Sequence, residues 1–204
     1  MKGILFSQME PPPEIEADFN DWYESEHIPA RLALAGFSGA TRYLATEGAR
    51  KYLAIYEIAD LAVLDTPGYQ QLKTAPSERT ARMLRTVKGF TRFTCEQTYE
   101  SAGGKRGDYL WAAGYAVPAA ERGAFNTGVD TERVPALVYD ATCLKVRGFS
   151  VISSDGGQWT QLALQEFAAP PARYSRGCNS TLAGKPGFEK AAHWLYRVVS
   201  RHGI

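Results

Sequence analysis

Apolar residues along this chain recur with two different spacings. Alternation, with β-branched and aromatic runs, marks strands at Gly3–Ser7, Phe37–Leu44, Tyr52–Ile58 and Phe90–Tyr99. The same signals return at Tyr109–Ala113, Leu144–Ser153, Trp159–Phe167 and Trp194–Ser200. Gly-containing turns at Thr46–Ala49 and Asp155–Gly157 predict a β-hairpin in each set. Helical spacing appears between the strands. Phe19, Trp22, Tyr23, Glu26 and His27 fall at i, i+3, i+4, i+7 and i+8, so they share one face. Pro29 ends that helix or starts a new turn, because the residue before a proline is pushed out of the α region. A second helix is expected between Pro67 and Val87, with Ser77 as N-cap and a solvated basic face carrying Arg79, Arg82 and Arg85.

The pattern occurs twice. Moving the sequence by 106 positions lays Phe19 on Phe125, Asn20 on Asn126, Glu26 on Glu132, Pro29 on Pro135 and Ala30 on Ala136. A slightly larger shift aligns Ala54 with Ala163 and Glu57 with Glu166. A period of half the chain means one fold unit used twice rather than a solenoid. Each half reads strand–helix–strand–strand–helix–strand, the split βαβ or ferredoxin-like order. The last helix of the second half, within Cys178–Ala192, is interrupted by Gly184, Pro186 and Gly187 and is expected to be short or distorted.

The expected organisation is therefore a first unit over residues 1–100, a polar linker over 101–108 and a diverged second unit over 109–204. The fold class expected is α+β, with two fused ferredoxin-like units forming one intramolecular α+β barrel. The copies differ where side chains carry chemistry: His27 falls opposite Arg133, and Trp22 opposite Gly128. One half is expected to hold the site and the other its scaffold, with Arg133 in a structural ion pair.

Composition narrows the class further. The chain is 45% hydrophobic, enough for a core, and no segment approaches the ~18 apolar residues of a membrane span. Its 23 basic and 22 acidic residues leave a net charge of +1, so neither nucleic acid nor a membrane is an expected partner. The apolar run after Lys2 is too short for a signal peptide, which makes the cytoplasm the expected address. Cys95, Cys143 and Cys178 are odd in number and widely spaced, which suits neither a disulfide framework nor a zinc site. His27, His193 and His202 are likewise too scattered for a metal centre. No cofactor and no metal are expected. The expected partners are a small-molecule substrate and a second copy of the chain, a homodimer formed through strand edges or helices.

One group of residues carries a family resemblance: Phe19-Asn20-x-Trp22-Tyr23-x-x-x-His27-x-Pro29, then Gly36-Phe37, Ala40-x-Arg42-Tyr43 and Tyr52-x-Ala54-x-Tyr56-Glu57. From about Gly3 to Tyr99 the chain resembles the EthD-like branch of the dimeric α+β barrel superfamily. The second half joins only through the internal repeat. That superfamily includes cofactor-independent monooxygenases, polyketide cyclases, muconolactone isomerases and haem-dependent members, so its fold does not choose a reaction. The resemblance implies that His27 lines an active cavity, as a histidine near the end of the first helix does in several members. It also implies a cavity tyrosine at Tyr43.

The residues suggest roles. His27, with an ordinary pKa near ~6.5, suits a general acid or base, and Glu24 is expected to stabilise its charged form against burial. Tyr43 is the expected donor to a developing oxyanion. Alternation groups Tyr43 with Thr41 and Ala45, and Arg42 with Ala40 and Leu44; one set faces the helices and the other the cavity. Arg42 is the alternative inward residue, as an anion clamp. Trp22, Tyr23 and Tyr56 supply walls. Glu57 and Glu166 are expected to pair with a basic residue or to cap an end in each half, with Glu57 as a second candidate base. The expected function is cofactor-independent proton transfer (isomerase, cyclase or lyase) on a small aromatic or polyketide-like molecule. Two alternatives stay open. One is oxygenation of phenols, with or without a haem held by His27 or His193. The other is a non-catalytic binding or assembly protein.

Overall fold

A computed structural model describes residues 1–48, 50–101, 105–128, 143–171 and 191–203. Its strands are β1 (Gly3–Glu10), β2 (Phe37–Glu47), β3 (Tyr52–Ile58), β4 (Lys88–Glu100), β5 (Tyr109–Tyr115), β6 (Cys143–Asp155), β7 (Gln161–Phe167) and β8 (Ala191–Gly203). They close into a barrel in the order β1-β3-β2-β8-β5-β7-β6-β4. Each half contributes four strands in the same relative order, and the halves join at two antiparallel seams, β2 with β8 and β4 with β6. Closure leaves no free edge among the described strands, so the strand-edge route to a homodimer is shut.

The boundaries follow the repeat. β1 and β5 begin at Gly3 and Tyr109, and β2 and β6 at Phe37 and Cys143. The helices α1 (Glu16–Trp22) and α5 (Arg122–Gly128) keep the same offset of 106. Arg133 and the last helix expected in the second half lie outside the described residues.

Pro29 explains the shape of the first helical segment. Having no N–H, it cannot bond the carbonyl four residues back, and the ladder widens before it. A π-helical turn, Tyr23–His27, follows α1, and the Ile28 N–H reaches back to the Tyr23 carbonyl. Helix α2 (Ile28–Leu32) then continues, so Pro29 starts a turn rather than ending the helix. Pro76 acts differently. It divides the expected second helix into α3 (Pro67–Thr74) and α4 (Glu78–Thr86), with Ala75 out of helical geometry at φ −131°. Ser77 caps α4 by accepting from the Thr80 N–H at 3.0 Å. Its basic face is not simply solvated: Arg79 pairs with Asp18 and Asp21, and Arg82 with Asp18, which pins α4 to α1.

Alternation along the strands sends side chains to two sides of the barrel wall. Ile4, Phe6, Leu53, Ile55, Phe93, Leu110, Phe149 and Leu164 fill the interior. Burying each phenylalanine there contributes about 1.5–3 kcal/mol. Outside the first half, Leu5, Phe19, Trp22, Tyr23, Tyr56 and Met83 form a layer under the helices. Trp111, Tyr115, Phe125 and Phe167 form its counterpart outside the second half.

Candidate functional site

The wall of the barrel separates the residues that the sequence singles out. On its outer side, His27 is only 5% exposed. Its ring centroid lies 4.1 Å from that of Trp22, 4.9 Å from Tyr23 and 6.4 Å from Tyr56. Tyr23 donates its hydroxyl to the Met9 sulfur at 3.5 Å. The Tyr56 hydroxyl is buried with no hydrogen-bond partner. Arg31 lays its guanidinium 5.3 Å from the Tyr56 ring centre and donates to the His27 carbonyl at 3.0 Å.

Burial, and then the charges of Arg31 and Arg42, hold the His27 pKa well below its ordinary value. The imidazole is therefore neutral at neutral pH, a form that accepts a proton. Glu24 does not support its charge, contrary to expectation. That carboxylate is occupied by Arg42 Nη1 at 2.6 Å, Ser200 Oγ at 2.8 Å and His202 Nε2 at 2.6 Å.

Arg42 also points outward, not into the barrel. It is 2% exposed, enclosed by the rings of Tyr23, Tyr52 and Phe19, and donates to Asn20 Oδ1 at 2.6 Å as well as to Glu24. Both terminal nitrogens of the guanidinium fork are engaged in joining α1 and the π turn to β2. With Glu24 reaching β8, the cluster ties the first helix to the second half.

Tyr43 lies inside the barrel, 6.4 Å from Tyr196 between ring centroids. Burial, and next the Glu166 carboxylate, push its pKa up. The matched carboxylates Glu57 and Glu166 meet at a single arginine that sequence pattern alone did not select. Arg147 donates to both Glu57 oxygens, at 2.8 and 2.9 Å, and to Glu166 Oε1 at 3.4 Å. The Gly107 N–H completes Glu166 at 3.1 Å. Burial works against the Arg147 charge, but the two carboxylates outweigh it and raise its pKa. Held bidentately by a cation, Glu57 is poorly placed to act as a base.

Trp22, Tyr23, His27, Arg42 and Tyr56 thus share the outer layer, whereas Tyr43 and Glu57 share the interior. His27 and Tyr43 stand on opposite sides of the wall and do not face one cavity. Two clefts open elsewhere. One, of about 510 Å³, is lined by Tyr69, Arg92 and Ile152; the other, of about 490 Å³, lies at one end of the barrel. Neither is lined by His27 or Tyr43.

A haem does not fit at His27, whose ring is wedged between Trp22 and Tyr23. His193 stacks on Trp111 at 5.1 Å and 24°. The Tyr56 position has an echo in the second half. The offset that pairs Glu57 with Glu166 pairs Tyr56 with Gln165, whose side-chain oxygen and nitrogen are also buried without partners. Alternation groups Tyr56 with Ala54, but neither the side of the wall that this set faces nor the orphan hydroxyl was readable from the sequence.

No family model and no curated protein matches the chain. Solved structures match its fold. An anthrone oxidase-like protein superposes with a TM-score of 0.72 at 10% identity, over 99% of this chain and 92% of the other. A protein from Lactobacillus acidophilus NCFM, provisionally named a monooxygenase, gives 0.65 at 6% identity over 99% and 96%. A chlorite dismutase mutant from Candidatus Nitrospira defluvii gives 0.61 at 11% identity over 98% and 91%. At such identities the likeness is one of fold, and the fold is the α+β barrel.

Proposed function

We propose that the protein is a small-molecule enzyme whose central step is proton transfer on an aromatic or polyketide-like substrate. His27 is the base, and Tyr56, in place of Tyr43, donates to the oxyanion. One observation carries this reading: a neutral imidazole and an unpartnered buried hydroxyl share one aromatic layer, with ring centroids 6.4 Å apart. An orphan buried hydroxyl costs about 1–3 kcal/mol, a penalty that a substrate oxygen would remove. His27 takes a proton from an acidic carbon or hydroxyl, and the resulting enolate or phenolate oxygen accepts from Tyr56. The cations Arg31 and Arg42 favour the anion. Trp22 and Tyr23 supply aromatic faces. Returning the proton to a different atom completes an isomerisation or cyclisation.

The second reading shares the proton abstraction and differs in the step after it, where the substrate anion reduces oxygen. The fold neighbours named anthrone oxidase-like and monooxygenase favour it. Both readings take the chain as an EthD-like unit duplicated in tandem, with the chemistry in residues 1–100, and as a cytoplasmic protein.

Incubating the enzyme in deuterated water with a panel of anthrones, phenols and 1,3-diketones tests the proposal. The expected result is enzyme-dependent deuterium incorporation at the acidic carbon, lost in His27→Gln. Oxygen uptake separates oxygenation from isomerisation. Saturable binding without exchange or turnover would make the protein a binder.

A further inference from the structure

The barrel has two unlike ends. One is sealed by Arg147 with Glu57 and Glu166. The other opens as the cleft of about 490 Å³, where the β2–β3 and β6–β7 hairpins meet the starts of β4 and β8. That volume suits a small organic ligand.

Its lining is specific. Trp159 and Trp194 stand edge to face, with centroids 6.2 Å apart. Gln8 and Thr91 form a buried polar floor, Thr91 Oγ1 donating to Gln8 Oε1 at 3.2 Å and Gln8 Nε2 to the Tyr196 hydroxyl at 2.8 Å. Arg50 is the single charged side chain in the lining. Among the described residues no carboxylate pairs with it.

Two glycines make room for these groups. A Cβ on Gly89 would lie 1.6 Å from Arg50 Nη1, and one on Gly114 would lie 2.7 Å from the Trp159 ring. Arg50 itself holds a left-handed backbone, φ +79°, a conformation uncommon for a residue with a side chain.

We infer that this open end of the barrel binds an aromatic carboxylate. The ring lies against the two indoles, and the anion reaches Arg50, which presents a planar fork matched to a carboxylate. His27 has no part in this binding, because the wall of the barrel stands between the two places.

The four tryptophans allow a direct test, since they report three regions: Trp22 the first-half layer, Trp111 the outside of the second half, and Trp159 and Trp194 the barrel mouth. The experiment is a calorimetric titration with 2-naphthoate, its neutral isostere 2-naphthamide as control, and indole N–H shifts followed by NMR. Saturable naphthoate binding is expected, with shifts at Trp159 and Trp194, and affinity at least tenfold lower in Arg50→Gln. The amide should bind comparably weakly, and His27→Gln should bind naphthoate like the wild type. No saturable binding, equal binding of acid and amide, or shifts confined to Trp22 or Trp111 would overturn the inference. The last outcome at Trp22 would instead favour the outer layer as the ligand site.

Discussion

The buried polar groups that stand out on the two sides of the β1–β3–β2 wall differ in kind. Inside the barrel the charges are ion-paired, with the terminal nitrogens of Arg147 engaged by two carboxylates and Glu166 completed by a backbone N–H, although Arg147 Nε is left without a partner. Outside, next to His27, the Tyr56 hydroxyl is buried with nothing to bond. An ion-paired cluster that joins the two halves is explained by the fold it holds together. A neutral hydroxyl with no partner at all carries a penalty that the fold alone does not remove. That difference, with the neutral imidazole of His27 beside the orphan hydroxyl, moves the candidate chemistry to the outer layer.

The largest effect should come from His27→Gln, which lowers turnover by about 10²–10⁴-fold, the usual worth of a positioned acid or base. The folded fraction, followed by circular dichroism, should remain near wild type. Unchanged turnover would erase the contrast between the two sides.

Arg147→Met should act on the opposite quantity. It leaves Glu57 and Glu166 uncompensated in the interior and should cost about 3–5 kcal/mol in urea unfolding. Turnover per folded molecule should persist. A stable variant would mean that the interior cluster is not what joins the halves.

A matched pair of tyrosines sharpens the comparison at smaller scale. Tyr196→Phe removes the acceptor of Gln8 Nε2 and should destabilise by about 1–2 kcal/mol. Tyr56→Phe removes an orphan hydroxyl, so stability should hold or rise slightly while turnover falls about tenfold or more. Equal stability losses in both variants would show that Tyr56 has a partner after all.

The smallest effect is a pH dependence. Because the folded His27 pKa lies below its ordinary value, the unfolded chain takes up that proton first as pH falls. The contribution to stability is fully present above about pH 6.5 and declines below it, toward the folded pKa. The urea midpoint of wild type should therefore fall relative to that of His27→Gln as pH drops below about 6.5, with a constant difference above it. A difference that stayed constant on acidification as well would contradict a buried neutral imidazole.

Much of the architecture was legible beforehand. Alternating runs located all eight strands among the described residues, and the bounds of β3 agree residue for residue. The repeat anticipated α5 as the copy of α1. The site was only partly legible. The aromatic face of Phe19, Trp22, Tyr23 and His27 is buried as helical spacing implies, because it covers the sheet. The pairing of His27 with Tyr43 failed because the helix lies outside the barrel and Tyr43 inside it. The basic face of α4 is used for ion pairs because α1 brings Asp18 and Asp21 against it, a neighbour that local pattern does not reveal.

By itself, then, the sequence determined the strands, the first helix of each half, their twofold order and the matched carboxylates. These depend on φ/ψ preference, periodicity and turn chemistry, which act between near neighbours. Only the tertiary structure decided which alternating set faces inward, and which buried polar groups find partners. Glu57 and Arg147 stand 90 positions apart and meet through barrel closure at the β4–β6 and β2–β8 seams. Register across such seams is set by the packing of both faces of the sheet at once, and no local pattern contains it.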